Sequence, residues 1–489
     1  MFTTLDFWVF FLAVFTLFTF VSNRILLRNL FLFLASGFFY FKTSGIFLLL
    51  LWLSIAVGFG FGWLIYKVHN KTLKKVVLFV SVSFHLAVLC YFKYAYFFAS
   101  SFEKVIGKSI GFGNPLGRYI NELSGTQYFD PDKILLPVGI SFFTFQILTY
   151  VIDIYREKLK PLNSVLDFGF YVSFFPQLVA GPIVRASDFI PQIHRPSVVS
   201  RSDFGMALFL VLRGLIKKIA IGDYLAVNFI DRVFAEPLSY TGFENIVALF
   251  AYSLQVYVDF SGYTDIAIGL SLAMGFRLKE NFNSPYKATS VGDFWRRWHI
   301  SLSHFLRDYL YIPLGGNRLG KFRTNLNLMI TMLLGGLWHG ASWNFVAWGG
   351  INGIGLLVYK AWKRISPYEN SSSNLVRTWR IAITFLFITF TRIWFRAPTE
   401  EGVSNFFYQV VHMPGWNIVP DFIIGFKWVL AVMMVGYVLH WLPTAFKNRY
   451  RDVFVALHPV GQAAIAIVAV LLIYQMAASD AQPFIYFQF

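Results

Sequence analysis

His339 stands alone among uncharged residues in the stretch GGLWHGASWNFVAWGG, residues 335–350. An ionisable group inside an apolar run is costly to keep at membrane depth, and by default it marks function. Imidazole titrates nearest neutral pH, so the chemistry open to it is taking a proton from a weak nucleophile as that nucleophile attacks. A core histidine hydrogen-bonded between helices is the alternative this segment leaves open. Gly336 and Gly340 form a small-xxx-small pair that lets a second helix approach closely. Trp343, one turn on, is expected over the same helix face as His339.

A second imidazole lies in the most polar segment, ENFNSPYKATSVGDFWRRWHISLSHFLRDYLYIPLGGNRLGKFR, residues 280–323. Ser290 and Asp293 read as caps of a helix starting at Phe294. At about 100° per residue, Trp295, Trp298, His299, Leu302, Leu306 and Tyr309 share one stripe, opposite Arg296, Arg297, His304, Arg307 and Asp308. The spacing therefore predicts His299 buried and His304 solvated with Asp308. As metal ligands those two lack a third partner at readable spacing, and no metal is expected. The basic face of Arg296 and Arg297, continued by Arg318, Lys321 and Arg323, suits anionic lipid or a phosphorylated ligand such as coenzyme A. A plain cytoplasmic loop would look the same. Upstream, VDFSGYTDIAIG carries Asp259 and Asp265 in an apolar run. They are read either as part of a polar interior around the reacting groups or as buried partners of Arg213, Lys217 and Lys218.

These residues must be held by membrane helices. Of 489 residues 57% are hydrophobic, 20% aromatic and only 14% charged, and mean hydropathy is +0.58. That composition excludes a soluble enzyme and predicts an all-α polytopic membrane protein. The net charge of +17 does not indicate nucleic acid, because the basic residues sit in short connectors, as cytoplasmic loops do. Arg24 and Arg28, Lys67 to Lys75, and Lys447 to Arg451 are assigned to one side, leaving both termini outside. The first apolar run, about residues 5 to 22, lacks a basic leader and a small-residue cleavage site, so it is expected to be retained. In FGFYVSFFPQLVAGPIVR, Pro176, Gly181 and Pro182 interrupt a run too short to cross comfortably, which predicts a broken or re-entrant element. The single cysteine, Cys90, rules out an intrachain disulfide and is expected to be a small buried hydrophobe. The chain reads as a single membrane domain over 1–489.

FWRRWHISLSHFLRDYLYIPLGG and GGLWHGASWNFVAWGG, with FFPQLVAGPI and VDFSGYTDIAIG upstream, resemble the membrane-bound O-acyltransferase family. The likeness is closest to the bacterial branch that acetylates alginate and peptidoglycan or D-alanylates teichoic acids. The resemblance implies a funnel of about eleven to thirteen transmembrane or re-entrant helices around a central tunnel, in the bacterial cytoplasmic membrane. It implies acetyl-CoA as a cytosolic donor with no permanently bound cofactor, and His299 and His339 at mid-tunnel. Trp295, Arg296, Arg297, Trp338, Asn344 and Asp259 would face substrate. An extracytoplasmic partner of the SGNH/GDSL acetyltransferase type, a polysaccharide acceptor and membrane lipids would complete the system. The tail FIYFQF, residues 484–489, resembles the end of the small partner peptide of teichoic-acid D-alanylation, which makes Tyr486 a candidate acyl carrier within an outer tail, 480–489, folding back toward the tunnel. An aromatic membrane anchor is the plainer reading of the tail. A transporter or flippase would also use broken helices and intramembrane charges. A polysaccharide synthase component would need clustered carboxylates in a cytosolic domain, and none is visible.

Overall fold

The computed structural model describes every residue except 1, 110, 126, 180, 477–483 and 485–489. All regular elements among the described residues are helical, so the chain is an all-α polytopic membrane protein. By length and apolarity alone, Ile25–Lys67, Lys71–Ile106 and Pro459–Met476 are long enough to cross a membrane. A fourth span results if Trp416–Gly425 and Lys427–Trp441, bent by 86°, are counted together. Among the other long helices, Gly242–Ala273 buries Asp259 and Asp265, and Asn374–Arg396 buries Arg392.

Contacts divide the chain into two compact units. One comprises residues 18–179 and 183–196. In it Gly58 and Gly62 on the helix Leu48–Lys67 let Ile140–Tyr155 come close. A Cβ on Gly58 would lie 2.5 Å from Ile147, and one on Gly62 2.6 Å from Tyr150. The interrupted run is indeed broken, into Val165–Ser173, a single turn Phe175–Leu178 and an irregular stretch. Its freed backbone finds partners: the Phe175 amide donates to Ser36 Oγ at 3.1 Å, and the Tyr171 hydroxyl donates to Val184 O at 2.9 Å. Irregular backbone at membrane depth persists only where protein satisfies it in this way. Cys90 departs from expectation, for it is exposed. The apolar run around it turns one face outward, where lipid makes burial unnecessary.

The second unit comprises residues 1–17, 180–182 and 197–489. Its axis is the 32-residue helix Gly242–Ala273, started by a reciprocal Thr241/Glu244 cap that satisfies two otherwise orphaned amides. It packs on the helix Arg201–Leu215, which continues through wider turns over Ile216–Asp223. Ion pairs lace this contact. Asp265 accepts from Arg213 Nε at 2.9 Å and from Lys217 at 2.7 Å, while Lys218 lies 2.5 Å from Asp259 and 2.7 Å from Asp223. Of the two readings of these carboxylates, pairing with the upstream basic residues is the one the geometry has.

The helices Gly320–His339 and Trp343–Ile365 form an antiparallel hairpin. Lys360 near one end donates to Asn325 near the other at 2.9 Å. The arms touch through Gly336 and Gly349: a Cβ on Gly349 would stand 2.3 Å from Met332 O, and one on Gly336 2.3 Å from Phe345 O. Gly336 thus does bring a second helix close. Gly340 lies just past the first arm in extended backbone (φ −160°), and there the missing Cβ makes room for the Phe345 ring of the second helix.

Candidate active site

His299 and His339 reach the site by different local routes. The expected continuous helix from Phe294 is interrupted: one short helix covers Val291–Arg297, the next Ile300–Leu306, and His299 between them takes left-handed backbone (φ 44°). Such a conformation costs a non-glycine residue about 1–3 kcal/mol and persists only where its surroundings over-determine it. Here Asn281 does so. Its carbonyl accepts from Ile300 N at 3.0 Å, and its Oδ1 accepts from Ser301 N at 3.0 Å and Ser301 Oγ at 2.9 Å. Ser290 caps the first short helix by accepting from Asp293 N at 3.1 Å, as its sequence position predicts. His299 is fully buried and His304 exposed, so the facing argument holds although the helix breaks.

His339 is the last residue of the first hairpin arm and is 2% exposed. The two imidazole rings are 6.2 Å apart, centroid to centroid. Aromatic rings enclose both. His339 meets Trp348 at 5.0 Å, Trp338 at 5.1 Å and Phe395 at 5.4 Å; His299 meets Phe260 at 4.7 Å and Trp338 at 5.8 Å. Trp295 joins the cage edge-on to Trp348 at 5.7 Å. Trp343 does not wall in His339: it begins the second arm and is half exposed. The turn at 340–342 reverses the chain, and Trp348 takes the place Trp343 was expected to fill.

The remaining sequence candidates scatter. Asn344 is buried and donates to Ala397 O at 3.1 Å. Asp259 is tied to Lys218, as above. Arg296 points outward, 3.6 Å from Asp293, and Arg297 donates to the same carboxylate at 3.0 Å. Tyr486 lies outside the described residues. Its neighbour Phe484 is described and fully buried, 4.4 Å from Tyr263 and 5.7 Å from Phe260, ring to ring. Phe260 is the ring that touches His299.

Two cavities adjoin this cage. An almost wholly apolar one of about 210 Å³ has His339, Trp295 and Trp348 in its wall, with Leu302, Leu306 and Met332. The other, about 990 Å³, is lined by Arg213, Lys217, Arg277, Lys447 and Arg451 together with the carboxylates Asp265 and Glu280, and extends to Asn281 and Phe282, beside His299; Arg277 pairs with Asp203 and Arg451 with Asp452. Lys447 donates to His440 O at 2.7 Å and Ser284 Oγ at 3.2 Å. Burial, with the neighbouring cations Lys287, Lys217 and Arg213, pulls its ammonium down to about 8. The sequence directs attention to a basic face of Arg296 and Arg297, continued by Arg318, Lys321 and Arg323, and gives no sign of this cavity. The connector 447–451 was read as a topology signal, and only tertiary packing brings it against residues more than 160 positions away.

Arg392 was also missed. It is 1% exposed, its guanidinium 4.4 Å above the Trp298 ring and 5.4 Å from Phe395. Four residues from the end of the helix Asn374–Arg396, it reads in sequence as part of a cationic terminus.

The model of the membrane-bound O-acyltransferase family matches residues 133–398. A probable alginate O-acetylase of Pseudomonas aeruginosa is 39% identical over 80% of this chain and 71% of its own length. A peptidoglycan O-acetyltransferase of Helicobacter pylori is 35% identical over 83% and 78%. A teichoic acid D-alanyltransferase of Streptococcus thermophilus is 29% identical over 58% and 71%. With both histidines inside the matched region, the chain belongs to the membrane-bound O-acyltransferase family and is an O-acyltransferase.

Proposed function

We propose that this O-acyltransferase takes an acetyl group from cytosolic acetyl-CoA and delivers it to an extracytoplasmic polysaccharide, with Tyr486 as carrier and His339 as base. The observation that carries the reading is the seat of Phe484 on Tyr263 and Phe260, one ring from His299. Tyr486 follows Phe484 by two residues, a stretch of chain that spans at most about 7 Å. The large polar cavity supports the donor assignment: its phosphates would meet Lys447, Arg451 and Arg277, with the thioester directed past Phe282.

In the step proposed, the Tyr486 phenol gives its proton to His339 as its oxygen bonds to the thioester carbonyl carbon. The carbon–sulfur bond breaks, the thiolate recovers that proton from His339, and the products are an aryl acetate and coenzyme A. A phenol has an ordinary pKa near 10, so a base is required for attack at neutral pH. His299 stays beside the reacting carbonyl as orienting group. The surrounding rings exclude water, which would otherwise hydrolyse the thioester. The aryl ester keeps its transfer potential, and its acetyl passes to a sugar hydroxyl, directly or through an SGNH/GDSL-type partner outside the bacterial inner membrane. Coenzyme A never has to cross.

Purified protein given acetyl-CoA without acceptor should release one equivalent of free thiol per chain. Tyr486→Phe and His339→Ala should release none. Release by Tyr486→Phe at the parent rate would show that the tail is an anchor only.

A further inference from the structure

Arg392 is a charged group the reaction just described does not use. It is 1% exposed, and among the described residues its Nε, Nη1 and Nη2 are buried with no hydrogen-bond partner at ordinary geometry and no carboxylate pair, the Tyr286 hydroxyl being the polar group that feels its charge. A cation buried without such partners is expensive, and buried ionisable residues in membrane proteins mark functional sites. Cation–π contact with Trp298 and Phe395 offsets part of that cost but cannot replace five donors' worth of hydration. The ion pairs nearby are committed elsewhere. Arg396 pairs with Asp231 at 2.8 Å, and Asp259 and Asp223 share Lys218.

The rings Arg392 rests on belong to the histidine cage. Phe395 touches His339 at 5.4 Å, and Trp298 immediately precedes His299. One aromatic layer thus separates the guanidinium from the transfer centre, close enough for its charge to act through a dry, poorly screening medium.

We propose that Arg392 is the residue that sets acyl specificity, favouring acyl groups without positive charge and disfavouring aminoacyl groups bearing an ammonium. The same field favours the negative charge that develops on the carbonyl oxygen in the tetrahedral intermediate. The inference rests on the reading of the cage as the acyl-transfer centre. It bears on a distinction among the relatives, which include by name an O-acetylase at 39% identity and a D-alanyltransferase at 29%.

The test uses an isosteric pair of thioesters, propionyl-CoA and glycyl-CoA, which differ by a methyl in place of an ammonium, at a pH where the amine is protonated. Transfer is read as thiol release by the full-length protein. The parent should prefer propionyl. Arg392→Met keeps the bulk and removes the charge; it should narrow the preference by about tenfold, the effect of a unit charge on the order of 10 Å away at an effective dielectric of about 20. Arg392→Lys, which keeps the charge, should retain the preference. A merely structural Arg392 would lower both rates together in Arg392→Met and leave their ratio unmoved, and that result would overturn the proposal. Failure of the parent to release thiol from any acyl-CoA would instead count against the transfer reading itself.

Discussion

Two imidazoles 6.2 Å apart inside a cage of tryptophan and phenylalanine have different things to lose. His339, at the end of a hairpin arm, is the proposed base, and His339→Ala should reduce transfer by about 10² to 10⁴ while detergent-solubilised yield and thermal stability stay near the parent's. His299→Ala should be severely impaired, whereas His304→Ala, on an exposed face, should stay within a few-fold in an acetyl-transfer assay. An essential His304 with a dispensable His299 would contradict the assignment. Lys447 makes a pH prediction. Its depressed ammonium, about 8, is charged below that pH and neutral above it, so KM for acetyl-CoA should rise as pH passes through 8. Lys447→Arg should remove that inflection; persistence of the inflection in this variant would separate it from Lys447. Both histidines were legible in the sequence because an imidazole in an apolar context stands out. Arg392 and Lys447 were not, because each sits near a charged helix end and acquires its meaning from residues far away in the chain.

Helix periodicity reports which side chains are apolar, not which backbone angles join them. Trp295, Trp298, His299 and Leu302 keep one facing on either side of the break, so the 3.6-residue pattern ran straight through it. Histidine enters left-handed backbone more readily than most non-glycine residues, and Asn281, some twenty positions upstream, closes the turn. Neither fact has a local signature. The hairpin was better foreshadowed, since Gly336 marks a close approach, but its partner Gly349 was not identified. Gly349→Ala tests that contact. Its added methyl would meet Met332 O at 2.3 Å, a distance no Cβ adopts, so the arms must separate. Loss of thermal stability, on the order of 1–3 kcal/mol as for other overpacked cores, should accompany loss of transfer as His339 is displaced. Parent-like stability and activity in Gly349→Ala would contradict the packing described.

At the scale of the molecule, composition alone settled the class: a chain this apolar must satisfy its backbone internally, and helices do so. The long quoted motifs carried the family assignment, and the comparisons agree. What composition could not give was the large polar cavity around Lys447, for the segments that form it are separate in sequence and assembled only by folding. Both the cavity lined by Arg213, Lys217 and Lys447 and the seat of Phe484 lie near His299, the first through Phe282 and Asn281, the second through Phe260. The central claim is that the chain's own tail takes the acyl group. The most direct measurement is the mass of the C-terminal peptide after brief incubation with acetyl-CoA and acid quench. The account predicts one added acetyl group, localised by fragmentation to Tyr486 and absent in Tyr486→Phe and His339→Ala. An unmodified tail in protein that goes on to acetylate polysaccharide, or an acetyl group borne on another residue, would contradict it.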